Sequence, residues 1–167
     1  GLVGSEMCIR DSFYGADGVD IYTGGAGSDV FVFTLNEQGA TSTNRYINQI
    51  TDFNAAPAAS GGDILDLRDL LEGENTVGGA GNLQKYLDFA VATNPDGSFT
   101  TTIRVSPTGG FTTLFGGDGT YVASADTQRM VLDGVNIRTA LGLANTATDS
   151  QIIAKLLQNG SLLVDNT

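Results

Sequence analysis

Two nine-residue units stand back to back in this chain: Gly15-Ala16-Asp17-Gly18-Val19-Asp20-Ile21-Tyr22-Thr23 and Gly24-Gly25-Ala26-Gly27-Ser28-Asp29-Val30-Phe31-Val32. Gly15 pairs with Gly24, Gly18 with Gly27, Asp20 with Asp29 and Tyr22 with Phe31. A glycine turn ending in Asp, followed by a short apolar strand and repeated at this period, is the signature of a calcium-binding parallel β-roll. Glycine allows positive φ, so main-chain carbonyls can converge on an ion. The Asp adds a hard anionic oxygen, which suits Ca²⁺. The strand residue then buries its side chain inside the winding. The second unit meets the pattern at every fixed position, and the first departs once, at Ala16.

The rest of the composition narrows the function. At 167 residues the chain is long enough for one domain, or one domain with a short repeat cap, and an apolar fraction of 41% supplies a core. No run of apolar residues approaches the length of a membrane-spanning helix. A net charge of −11 with no His opposes binding to nucleic acid and to anionic membranes, because both would be repelled. Bound cations account for such an excess of carboxylates, and so does selection for solubility.

Leu2 to Asp11 resembles the translation of a transposon-type sequencing adaptor, so residues 1–12 are set aside as a scar. A natural, irregular N-terminus is the alternative. On the scar reading the chain is expected to be a fragment, and Cys8, the only cysteine, carries no biological information. The native part then has no disulfide, thiolate metal site or Cys nucleophile.

Phe13-Tyr14 reads as the tail of an earlier repeat, since Phe13 lies nine residues before Tyr22. After Phe33 the period stops. Arg45–Phe53 reads as a strand, 54–62 as a loop, and Asp63-Ile64-Leu65-Asp66-Leu67 as a short strand with alternating carboxylates. Residues 68–71 are expected to close as a helical turn and 76–82 to form a glycine-rich loop. Two strands, 86–93 and 98–106, flank the turn Asn94-Pro95-Asp96-Gly97. Gly116-Gly117-Asp118-Gly119 lacks the Asp of a calcium turn, Tyr121 standing in its place, and reads as a hairpin or loop. Arg129–Leu132 is a strand. Thr148-Asp149-Ser150-Gln151 is a capping box, followed by the helical stripe Ile152, Ile153, Leu156, Leu157 and a stop at Asn159-Gly160. Ser161–Val164 is a last strand.

Taken together these segments resemble the C-terminal targeting domain of RTX proteins exported by type I secretion, in the subclass found on large bacterial surface adhesins. The matching blocks are Ile50–Asn54, Gly62–Leu71, Tyr86–Phe89, Thr101–Val105, Met130–Val135 and Leu156–Asp165, in the family's order over residues 13–167. The chain departs from the family in having two complete repeats, in Asn136 where Asp is common, and in a longer stretch from Phe111 to Ala125.

The resemblance implies a mainly β fold: a short parallel β-roll over 13–34, and a β-rich cap with one or two C-terminal helices over 35–167. Expected metal ligands are Asp17, Gly18, Asp20, Gly25, Gly27 and Asp29 in the repeats. Asp52, Asp63 and Asp66 are expected either to bind a further ion at the junction or to lie as solvent-exposed strand ends. The turn at 24–29 should stack on 6–11, and the turn at 15–20 on 33–38, where Asn36 and Glu37 carry oxygens. The implied role is a non-catalytic, calcium-binding module that engages the type I secretion apparatus through its C-terminal segment and nucleates folding outside a Gram-negative cell. A calcium-dependent module for a sugar or another extracellular surface is a second possibility, and the tail of a secreted hydrolase a third. With no His and no serine in a GxSxG context, the residues favour no catalysis.

Overall fold

The computed structural model describes residues 11–14, 19–35, 41–113 and 119–165. The expected ligands Asp17 and Gly18, and the oxygens proposed at Asn36 and Glu37, lie outside these residues. Within them the chain is mainly β. Its strands are β1 (Ser12–Tyr14), β2 (Ile21–Tyr22), β3 (Val30–Val32), β4 (Tyr46–Ile50), β5 (Ile64–Asp66), β6 (Leu87–Thr93), β7 (Phe99–Val105), β8 (Thr112–Thr113), β9 (Gly119–Thr120), β10 (Gln128–Asp133) and β11 (Leu162–Leu163). Two helices follow β10 in the chain, α1 (Ile137–Ala140) and α2 (Asp149–Gln158).

The strands form two large sheets. One has the order β1-β3-β5-β11 and is parallel throughout. The other has the order β2-β4-β10-β7-β6 and is mixed. The nine-residue period explains the first passes. β1 and β3 pair in register, Phe13 beside Phe31, while β2, between them in sequence, belongs to the opposite sheet. Each repeat thus crosses from one sheet to the other. Their aromatic residues meet between the sheets: Phe13 stacks on Phe31 at 5.3 Å, and Tyr22 meets Phe31 edge-on at 6.1 Å. Phe53 joins them at 6.3 Å from Phe31. Such pairs add to the area term that drives burial.

β2 pairs with β4, Ile21 beside Gln49, while the stacking expected between 15–20 and 33–38 falls largely on residues outside those described. After Phe33 the chain runs outward along the cap, where the Leu35 N–H donates to the Asp69 carbonyl. It returns as β4, long enough to serve both β2 and β10.

β5 lies between β3 and β11, so both of its edges are paired. Ile64, Leu65 and Asp66 are all buried, and Asp63 before them is 2% exposed. The reading of Asp63 and Asp66 as solvent-exposed strand ends is therefore overturned. Residues 67–71 close a hydrogen-bonded turn, the Leu70 and Leu71 N–H groups both donating to Leu67. The Asn94–Gly97 turn joins β6 to β7 as an antiparallel hairpin, with Gly97 at φ +86°. β8 and β9 pair antiparallel, and the expected turn at 116–118 lies outside the described residues. Thr148 caps α2 in a full capping box, and Ile152, Ile153 and Leu156 face the core. Gly160, at φ +70°, ends the helix and turns the chain into β11, which pairs with β5. One or two C-terminal helices are expected; α1 is the second, at a place the residue pattern does not mark. Asn136 is its N-cap, accepting from the N–H groups of Arg138 and Thr139, so the carboxamide does there what an Asp would do. Among the described residues no helix is long and apolar enough to cross a membrane.

Candidate metal centre

The turn between β2 and β3 is built around glycine. Gly25 and Gly27 have φ of +87° and +122°, a region that other residues rarely enter. Gly24 is required for space: a Cβ there would stand 2.6 Å from Asp29 Oδ2. The missing side chain lets the Asp29 carboxylate fold back over the turn.

Asp29 is fully buried. Its Oδ1 accepts the N–H of Asp11, one winding earlier, at 3.1 Å. Its Oδ2 accepts no hydrogen bond. A buried carboxylate oxygen left without a partner is costly, and native structures rarely tolerate one unless a cation or ordered water meets it. A carboxylate oxygen is a hard anionic donor of the kind Ca²⁺ takes, and Asp29 Oδ2 is the one such atom at this turn that no hydrogen bond uses. The chemistry of this one oxygen suits the ion.

Two further carboxylates hold the same turn, and they do so through its backbone. Asp63 Oδ1 accepts the Asp29 N–H at 3.0 Å, and Asp63 Oδ2 accepts that of Asn54 at 2.8 Å. Asp52 spends both oxygens likewise, on the N–H groups of Gly24 (2.9 Å) and Gly25 (2.7 Å). Ser28 adds a 2.6 Å hydrogen bond to the Gly62 carbonyl. Burial pushes the Asp63 carboxyl above the usual carboxylate range. Its two backbone donors pull it down, and the charges of Asp29 and Asp52 push it up again. The junction is thus stapled by charge-assisted hydrogen bonds, which are stronger than neutral ones.

The remaining expected ligands stand apart. Asp66 faces away and is clasped by Arg68, whose Nε and Nη2 reach its two oxygens at 2.9 and 2.6 Å. Burial alone raises the Asp66 carboxyl, but the hydrogen bonds and charge of Arg68 hold it below its ordinary range. Asp20 lies on the other side of the winding. Its Oδ2 is 3.4 Å from the Tyr22 hydroxyl, and its main-chain oxygen accepts from Gln49. Among the described residues, no three His, Cys, Asp or Glu side chains gather as a metal cluster. The fit rests on Asp29 and its turn.

One buried acid carries no signal in the sequence. Asp126 is fully buried and accepts from the Tyr121 hydroxyl and from Arg129 Nε, both at 2.8 Å, with Arg45 Nε 3.5 Å away. Arg104 lies 4.2 Å over the Tyr121 ring. This network ties Tyr121 to β7 and β10. Arg45 and Arg104 come from distant segments, so the spacing of Tyr121, Asp126 and Arg129 alone does not announce it.

Comparison of the chain with family models, with curated proteins and with solved structures returned no significant match.

Proposed function

We propose that residues 13–34 are the last windings of a calcium-binding β-roll, and that residues 35–167 cap it. On this reading the whole is the non-catalytic C-terminal module of a large RTX adhesin. It directs type I secretion from a Gram-negative cell and starts folding outside it, where the protein is secreted or held at the surface. The observation that carries the reading is Asp29: a buried carboxylate oxygen without a partner, in a glycine turn of the repeat that calcium-binding rolls use.

The physical logic is coupled folding and binding. Stacked turns bring Asp side chains close, and their repulsion opposes winding until a cation is bound. Calcium modules that work outside cells bind with Kd of about 10⁻⁴–10⁻³ M. At cytoplasmic calcium such a roll stays loose and can be threaded through a channel. Outside, the ion supplies electrostatic stabilisation at Asp29. Asp52 and Asp63 hold the adjoining turn through N–H groups, so the cap offers a preformed edge on which the first winding can settle. Two alternatives from the sequence, a calcium-bridged ligand site and a hydrolase tail, have no observation of their own in their favour.

The test is export. A passenger fused ahead of residues 13–167, in a bacterium with a type I exporter for such adhesins, is expected to reach the medium and to fold there when calcium is present. Removing residues 148–167 is expected to keep it inside. Equal secretion of the truncated fusion would reject the targeting role.

A further inference from the structure

A hollow of about 240 Å³ lies at the far end of the β6–β7 hairpin, lined by Val91, Thr93, Phe99, Asn136, Arg138 and Asn145. It belongs to the cap, apart from the glycine turns. Three features of its lining are unusual in this chain. Phe99 is one of the few large apolar side chains left exposed among the described residues, at 37%. Among the described residues Arg45, Arg68, Arg104 and Arg129 each pair with an Asp, whereas Arg138 has no carboxylate within salt-bridge distance and only the longer-range charge of Asp88, itself bonded to Arg104, opposite it. Arg138 is nonetheless held in place: its Nε donates to the Ala147 carbonyl at 2.8 Å, and its Nη2 lies 3.5 Å from the Phe89 carbonyl. Asn136 Nδ2 donates to Asn145 Oδ1 at 3.3 Å, which orients the Asn145 carboxamide and leaves its Nδ2 available as a donor.

We propose that this hollow binds a carboxylate-bearing sugar residue, a hexuronate. The Nη1 edge of Arg138 would take the carboxylate, for which a guanidinium is well shaped. The Phe99 ring and Val91 offer an apolar surface to the C–H face of the pyranose, while Thr93 and Asn145 meet hydroxyls. Small sites of this kind combine an apolar floor with a few fixed polar groups. The site is made from cap residues alone and needs no metal, so it goes beyond the calcium reading and stands or falls separately.

The test is a titration of the ¹⁵N-labelled whole chain with glucuronate, its methyl ester and acetate, with calcium and with chelator. Glucuronate is expected to shift the amides of Thr93, Phe99, Arg138 and Asn145 equally in both conditions. The ester and acetate should bind about tenfold more weakly or worse, since each loses one half of the recognition. R138Q should weaken glucuronate by a similar factor. F99S, at an exposed site, should weaken it without loss of fold and serves if R138Q does not fold. No localised shift with glucuronate, acetate binding as well as glucuronate, or both variants behaving as wild type would each overturn the proposal.

Discussion

The Asp29→Asn substitution separates a metal ligand from a structural aspartate, because the two roles predict opposite signs. The wild-type Asp29 carboxylate is fully buried, with one oxygen on the Asp11 N–H and the other without a hydrogen bond. The amide keeps the first interaction and removes a buried charge that nothing compensates, so in chelator D29N should be no less stable than wild type. With calcium the order reverses. For a site of Kd about 10⁻⁴–10⁻³ M, about 10 mM calcium stabilises the native state by RT ln(1 + [L]/Kd), about 1.4–2.7 kcal/mol. At about 2–4 °C per kcal/mol for a chain of this length, that is a rise in Tm of about 3–11 °C. D29N should show almost none of it. Thermal melts followed by circular dichroism, each protein in calcium and in chelator, give the four numbers needed. If D29N melts well below wild type in chelator and calcium raises both alike, Asp29 is a structural residue and the metal reading of the turn fails.

Three further outcomes follow from the junction. Asp63→Ala strips the acceptor from two N–H groups, those of Asp29 and Asn54. At about 1–3 kcal/mol for each donor left unpaired, offset by no longer burying a charge, urea unfolding should show a net loss of about 2–4 kcal/mol in chelator as well as in calcium. A loss confined to calcium would mean that Asp63 acts through the ion instead. Gly62→Ala places a Cβ 1.7 Å from the Ala56 carbonyl oxygen, a backbone atom that cannot swing aside, so the loop must open and the soluble yield and Tm should both drop. A variant that melts with wild type would refute that packing. The pH dependence should show the Asp66–Arg68 pair. The Asp66 carboxyl is held below its ordinary value in the fold, so its contribution is full above the unfolded-state value and is lost as pH falls through the folded-state value. Arg68→Gln leaves burial to push the carboxyl up, and the acid-unfolding midpoint should move to higher pH. An unmoved midpoint would show that the pair has no effect on stability.

The local devices were legible in the residues themselves. The glycine turn with its Asp and apolar strand, the Asn94–Gly97 hairpin, and the Thr148–Gln151 capping box with its Gly160 stop all depend on groups a few positions apart. For these, backbone preference and short-range hydrogen bonding decide, and both are written in neighbouring residues. The stacking of Phe13 on Phe31 was likewise foreshadowed by a period of nine, since two passes return the chain to the same sheet.

What lay beyond the sequence was every pairing between distant segments. Asp52, Asp63 and Asp66 look alike as carboxylates in one block. Yet two of them hold a turn about thirty residues earlier by its N–H groups, and the third is taken by the arginine two positions on. β2 found β4, nearly thirty residues on, and Asp126 gathered Arg45, Tyr121 and Arg129. These choices are made when two faces are buried together, because the partner of each polar group is whichever donor or acceptor the closing sheet excludes from water beside it. That selection depends on register across the core, which the order of residues along one strand does not contain.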